Sequence, residues 1–205
     1  IIEAVKGCEL IHYDEATKYS SYQDTYEAEA TIAECIKERL EPDFGKAESH
    51  NILNGIKVDG YTHDMNWQDF QEVDGFKMTE EQTKILELAT TENVMILTGS
   101  GGTGKSTSMK ALIRMLEANN RTYTLLAPTD AFTIHMFLAR GTLSCGEYII
   151  IDECSMVGVK LMAKLFNKIE PSKSKIVFVC DESQLASIDC GNIVQDILDS
   201  GVVPR

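Results

Sequence analysis

The chain has 205 residues, of which 43% are hydrophobic and 25% charged, with a net charge of −13. That length allows one domain, or one with a small accessory. No apolar run approaches the roughly 18 residues of a membrane span, so no membrane role is expected. So acidic a chain is not a module dedicated to coating nucleic acid, which leaves room for gripping a single strand through a few local contacts. The acidity is uneven: residues 1–77 hold 17 acids against 7 bases, and residues 78–205 hold 15 against 12. Ile1-Ile2-Glu3 is neither basic nor followed by a long apolar stretch, so it does not read as a secretory signal, and a cytoplasmic location is expected. The chain does not begin with Met and is expected to be a fragment or to lack its first residues. Cys8, Cys35, Cys145, Cys154, Cys180 and Cys190 show no C-x-x-C spacing, so buried reduced thiols are expected, not a metal site or a disulfide framework.

In chain order, residues 4–12 read as one or two strands around Lys6-Gly7. A helix is predicted from Thr25, with Tyr26, Ala30, Ala33, Ile36 or Lys37, and Leu40 near one face and Glu27, Glu29, Glu34 and Glu38 largely outside it as a solvated face. Pro42 and Gly45 end it. Residues 43–60 read as loop, and Trp67 to Val73 as a short helix. Thr79 and Gln82 have the spacing of a capping box, which opens a helix through Ile85, Leu86 and Leu88. A boundary is placed near residue 77. It separates a small, mostly helical accessory domain (1–77) from a larger domain (78–205).

Val94 to Leu97 is a strand feeding a glycine-rich turn. The helix after the turn carries Met109, Leu112, Ile113 and Leu116 and stops at Asn119-Asn120. Tyr123 to Ala127 is a strand ending in Pro128-Thr129. Tyr148 to Ile151 is a strand ending in Asp152-Glu153. Met156 to Ile169 is a helix stopped by Pro171. Ile176 to Val179 is a strand ending in Cys180-Asp181, and Ile193 to Leu198 is a short helix. Strands alternating with helices give an α/β fold: a parallel sheet with flanking helices. Its charged motifs lie at the strands' C-terminal ends, where such sheets bind ligands.

Gly99-Ser100-Gly101-Gly102-Thr103-Gly104-Lys105-Ser106 fits G-x-x-x-x-G-K-[ST], the phosphate-binding loop. Its glycines let the backbone turn N–H groups onto a phosphate, and the following helix adds the positive end of its dipole. Lys105 is placed to reach the β- and γ-phosphates and Ser106 to ligate Mg²⁺; Thr107 follows on the same turn and belongs with the nucleotide-binding residues. ATP and Mg²⁺ are the expected ligands. Asp152 is the second expected Mg²⁺ ligand, and Glu153 the group that polarises the attacking water. Gln184, beyond a strand end, suits a γ-phosphate sensor, since its amide both donates and accepts. Gln82 has two readings, an adenine-reading amide or a helix cap.

Taken together, Thr79-Glu80-Glu81-Gln82, Gly99 to Ser106, Ala127-Pro128-Thr129, Thr133-Ile134-His135, Asp152-Glu153-Cys154-Ser155-Met156 and Asp181-Glu182-Ser183-Gln184-Leu185 resemble the first motor domain of a superfamily 1 helicase of the RecD-like branch. The N-terminal Tyr26-Glu27-Ala28-Glu29 helix resembles the accessory region before that motor. The resemblance implies a RecA-like fold and a DNA-stimulated ATPase that moves 5′ to 3′ on single-stranded DNA, in the setting of DNA repair and recombination. It assigns Gln82 to adenine, Lys105, Asp152, Glu153 and Gln184 to hydrolysis, and Pro128, Thr129, Thr133 and His135 to DNA contact. His135 keeps a second reading as a packing residue.

The sequence departs from the family pattern in several places. Asp130-Ala131-Phe132 leads almost directly to Thr133, so segments near 129–132 and 139–147 are either missing from the string or deleted. Cys180 stands where the family usually has glycine, and Ala186 where it has proline. The family's second motor domain, which supplies an arginine finger, is not expected within these 205 residues. The chain alone is therefore expected to bind ATP–Mg²⁺ weakly and hydrolyse it barely. The rival reading is a non-motor ATP-binding module whose acidic N-terminal region binds a protein. A small-molecule kinase would need a substrate lid and basic acceptor-binding residues, and neither is evident.

Overall fold

Four short runs are apolar at nearly every position, so a sheet built from them must be covered on both faces. The computed structural model describes residues 9–41, 44, 52–53, 56–57, 65–128, 133–140, 146–169, 172–181 and 193–205. Strands β1 (Ile11–Tyr13) and β2 (Ser20–Tyr22) precede helix α1 (Gln23–Leu40). Two-residue strands β3 (Ile52–Leu53) and β4 (Ile56–Lys57) follow, then a 3₁₀ turn at Trp67–Phe70 and strands β5 (Glu72–Val73) and β6 (Phe76–Lys77). The remainder alternates: α2 (Glu80–Thr91), β7 (Val94–Leu97), α3 (Lys105–Ala118), β8 (Tyr123–Leu126), α4 (Ile134–Ala139), β9 (Tyr148–Ile151), α5 (Val159–Ile169), β10 (Lys175–Val179) and α6 (Ile193–Ser200).

The last four strands form one parallel sheet in the order β7-β10-β9-β8. The expected α/β fold is observed. The two-residue alternation of a strand sorts its side chains onto two cores. Val94, Ile96, Ile149, Ile151, Ile176, Phe178 and Leu126 face one core, shared with α1, α4, α5 and α6. Met95, Ile150, Val177, Val179 and Tyr148 face the other, shared with α2 and α3. Beyond the outer edge of β7, the Ile96 N–H donates to the Pro204 carbonyl at 3.0 Å. Among the described residues no helix is long and apolar enough to cross a membrane.

Helix α1 lies before the expected boundary at residue 77, yet Ala28, Ile32, Cys35 and Ile36 are buried in the same core as the sheet. Of the predicted face, only Ile36 is buried. The buried stripe is Thr25, Ala28, Ile32, Cys35, Ile36 and Arg39, while Tyr26 and Leu40 are exposed. The sheet takes the branched aliphatic side chains, and Tyr26 stacks on His12 at 3.6 Å between ring centroids. Arg39 is buried because its stem is apolar and its guanidinium is hydrogen-bonded. Its Nε donates to the Ser174 carbonyl at 2.9 Å and its Nη1 to the Cys35 carbonyl at 3.0 Å, which ties α1 to the lead-in of β10. Glu27, Glu29 and Glu34 stand exposed, as a solvated face requires.

Three further readings need correction. The predicted helix at Trp67 to Val73 is a single 3₁₀ turn followed by the antiparallel β5–β6 hairpin. Asp74 and Gly75 both take positive φ, 53° and 83°, as a two-residue hairpin turn demands. Within the expected loop 43–60, β3 and β4 pair antiparallel with Leu53 opposite Ile56. Cys154 and Cys180 are joined as a disulfide, with Cα atoms 5.3 Å apart, whereas reduced thiols were expected throughout. Their separation of 26 residues hid a proximity that only the β9–β10 register creates. Cys35 fits the expectation as a buried side chain whose sulfur accepts a hydrogen bond from Arg39. The readings around Lys6-Gly7 lie outside the described residues.

Because α1 shares the core of the sheet, Ile32→Ala is expected to lower the free energy of unfolding by about 2–5 kcal/mol. Urea denaturation followed by circular dichroism should show one shifted transition. A separate, earlier transition with the sheet's own midpoint unmoved would contradict the shared core.

Candidate active site

In a parallel sheet the strand ends come out together, so residues far apart in sequence meet at one edge. Val179 pairs with Leu97, and Phe178 with Ile151, which sets the loops after β7, β10 and β9 side by side. The loop after β7 turns through Gly99 to Gly104 into α3. Gly104 has φ 91°, and a Cβ there would lie 2.1 Å from Nε2 of Gln82. Only glycine fits the site without displacing that amide. The loop is closed on itself by the Thr103 hydroxyl, which donates to the Ser100 carbonyl at 2.8 Å.

Lys105 opens α3, and its ammonium is drawn inward. It donates to the Gly99 carbonyl, to the Ser100 carbonyl at 2.9 Å and to Oδ2 of Asp181 at 3.1 Å. The Lys105 and Asp181 side chains are only 17% and 12% exposed, so this is a largely desolvated ion pair, not a surface contact. Asp152 follows β9, with its N–H donating to the Leu126 carbonyl at 2.8 Å. Its Oδ1 accepts from the Glu153 N–H at 2.9 Å, and Glu153 holds a left-handed backbone at φ 49°. Such a conformation in a non-glycine residue is uncommon and costs about 1–3 kcal/mol, which a functional turn can sustain.

These groups line one cavity of about 380 Å³. Gly101, Gly102, Gly104, Lys105, Ser106, Asp152 and Glu153 were expected there and are brought together. Met109, Val179, Cys180 and Asp181 were not assigned to it beforehand, and they complete its wall. Asp181 was legible as an acid ending a strand, but its contact with Lys105 depends on β10 lying beside β7.

Gln82 does not line the cavity. Its Oε1 accepts from the Thr79 N–H at 3.0 Å, and its own N–H donates to the Thr79 hydroxyl at 3.3 Å, completing the capping box. Its Nε2 donates to the Thr103 carbonyl at 3.0 Å, so the same side chain also braces the phosphate loop. Thr133 caps α4 by accepting from the Met136 N–H at 3.1 Å, and Ala127 and Thr133 are bridged, so the chain leaves and re-enters beside the end of β8. His135 is exposed on α4, whose buried residues are Ile134 and Phe137. Pro128 follows β8 outside the cavity lining. Thr129 and Gln184 lie outside the described residues.

A strand, a glycine loop held on the N-terminus of a helix, and acids at neighbouring strand ends define a phosphate-loop nucleotide-binding domain. The profile of the AAA domain family matches residues 77–204, and the chain belongs to that family. It is 28% identical over 166 residues to the RecBCD enzyme subunit RecD of Mycobacterium tuberculosis, covering 58% of this chain and 29% of that protein. It is 32% identical over 136 residues to the ATP-dependent RecD2 DNA helicase of Deinococcus radiodurans, covering 56% of this chain and 19% of that one. It is 29% identical over 133 residues to the ATP-dependent DNA helicase PIF1 of Trypanosoma brucei brucei, covering 57% and 13%. The likeness to RecD-like superfamily 1 motors drawn from the motifs holds in these comparisons. The chain spans less than a third of the length of each of these relatives.

The Asp181 carboxylate competes with any phosphate for Lys105. Asp181→Asn is therefore expected to tighten binding of magnesium-free ATP about tenfold, by removing an anion from a partly desolvated pocket. Calorimetric titration measures this, and weaker binding by the variant would show that Asp181 supports the lysine instead of opposing the phosphate.

Proposed function

We propose that this chain is the ATP-binding motor domain of a DNA helicase, in which hydrolysis drives 5′ to 3′ movement on single-stranded DNA. The observation that carries the reading is the cavity that gathers Lys105 and Ser106, beyond β7, with Asp152 and Glu153, beyond β9, at one edge of the sheet. The names of two relatives, both ATP-dependent DNA helicases, support the substrate class. Residues 78–205 form the motor unit in this reading, and residues 1–77 an accessory region.

The chemistry follows from the groups present. Loop N–H groups and the start of α3 receive the phosphates of ATP, and Lys105 transfers its charge from Asp181 to them. Gly99, Ser100, Gly101, Gly102, Thr103, Gly104 and Thr107 complete the cradle. Ser106 and Asp152 both line the cavity, and their hydroxyl and carboxylate are hard oxygen donors, a fitting pair for Mg²⁺. When bound with ATP, that ion neutralises charge on the phosphate oxygens. Glu153 takes the proton of the attacking water as general base. Gln82 is assigned to the adenine edge, for which its amide must exchange one of its present partners, and Gln184 to the γ-phosphate. Pro128, Thr129, Thr133 and His135 are assigned to the single strand; the exposure of His135 supports that role over packing.

A protein partner is proposed for the acidic N-terminal region, supported by Leu10, Tyr19 and Tyr22, which are 73%, 78% and 65% exposed there. A cytoplasmic location accompanies this reading.

In the full-length protein, single-stranded DNA is expected to stimulate ATP turnover, and a duplex with a 5′ tail to be unwound in preference to one with a 3′ tail. Glu153→Gln should retain ATP binding and lose about 10²–10⁴-fold in turnover. Turnover indifferent to DNA would favour the non-motor module, and an unimpaired Glu153→Gln would remove Glu153 as the base.

A further inference from the structure

We propose that Cys154 and Cys180 form a redox site in the wall of the nucleotide cavity, a dithiol–disulfide pair that exchanges with small thiols and disulfides and sets nucleotide affinity. The coupling to nucleotide rests on the ATP reading of the cavity, whereas the pairing does not.

Placement carries the pairing. The Cα atoms are 5.3 Å apart, inside the usual disulfide range of about 4.4–6.8 Å. Both backbones are fixed independently of the sulfurs. The Cys180 N–H donates to the Leu97 carbonyl at 2.9 Å within the sheet, and the Cys154 carbonyl accepts from the Val157 N–H at 3.1 Å in the turn after β9. The two side chains therefore stay opposed whether bonded or not. Both residues are about 1% exposed, and Cys180 is among the residues that line the cavity, which places the pair beside it. The third described cysteine, Cys35, is buried on α1 against Arg39.

Position carries the coupling. Cys154 directly follows Glu153, and Cys180 directly precedes Asp181. The bond thus ties the turn bearing the proposed base to the residue that holds Lys105. Bond and Lys105–Asp181 contact occur together in this structure. The oxidised pair favours the arrangement in which the lysine is turned to Asp181, and ATP favours the one in which it is turned to phosphate. Oxidation and ATP therefore oppose each other, and thermodynamic reciprocity makes the two effects equal.

The exchange balances with a low-molecular-weight disulfide such as oxidised glutathione. One cysteine thiolate attacks it, forming a mixed disulfide and releasing one glutathione thiolate. The second cysteine thiolate then attacks the mixed disulfide, forming the Cys154–Cys180 bond and releasing the second. Two protein thiols lose two protons and two electrons, and one oxidised glutathione becomes two reduced ones.

The test equilibrates the 205-residue chain in glutathione buffers of graded ratio, traps thiols under denaturing conditions and maps the peptides by mass spectrometry. A reversible Cys154–Cys180 cross-link is expected. Alkylation of both cysteines at every ratio, or pairing of either with another cysteine, would overturn the proposal. Affinity for a fluorescent ATP analogue should be about fivefold or more lower in the oxidised chain, and saturating analogue should shift the redox midpoint by the same factor. Equal affinities in the two states would also overturn it. Absence of nucleotide binding in both states, with the cross-link intact, would refute the ATP reading and the coupling together. Cys154→Ser and Cys180→Ser should each abolish the cross-link and the redox response, with folding checked by circular dichroism; the wild-type measurements decide the matter without them.

Discussion

The charge of Lys105 is the point on which the site depends. A lysine ammonium lying mostly out of water needs partners, and here it has two loop carbonyls and the Asp181 carboxylate. That arrangement is possible only because β10 lies between β7 and β9. Exchange of β10 for β8 would leave the lysine without its acid. Sheet order, a global property, thus sets the electrostatics of a local loop. A triphosphate entering the cavity meets a lysine already charged, oriented and held by a contact that phosphate oxygens can replace.

The loop is braced from the other side by Gln82. One amide caps α2 through Thr79 and holds the Thr103 carbonyl, so the position of α2 and the shape of the phosphate loop are set together. At Gly104 a Cβ would come within 2.1 Å of the same amide and would sit on a backbone at φ 91°, so a larger residue there would strain the turn and displace the brace. Helices α2 and α3 are fixed in turn by the core built on Met95, Ile150 and Val177, which links burial on one face of the sheet to the geometry at its edge.

Local features were readable from sequence. The spacing of Gly99, Gly104, Lys105 and Ser106 specifies a turn and its chemistry within a few residues, and the apolar runs before Asp152 and Asp181 specify strand ends. What depended on tertiary choice was not readable. The α1 pattern allowed more than one face, and the sheet selected Ala28, Ile32 and Cys35 over Tyr26 and Leu40. The Lys105–Asp181 contact joins residues 76 apart and follows from strand order. The Cys154–Cys180 bond follows from register. One hairpin had a readable signal, Asp74-Gly75, a two-residue turn between short strands; strands of only two residues carry too little alternation to stand out beside it.

The most direct test of the account is calorimetric titration of the chain with ATP and magnesium, set beside Lys105→Ala. Removal of the lysine takes away the cation that, among the described residues, lines the cavity, while leaving the core untouched. The account predicts measurable binding by the wild type and loss of binding by a variant that remains folded by circular dichroism. Equal affinity in a folded Lys105→Ala chain would contradict the assignment of this cavity to nucleotide.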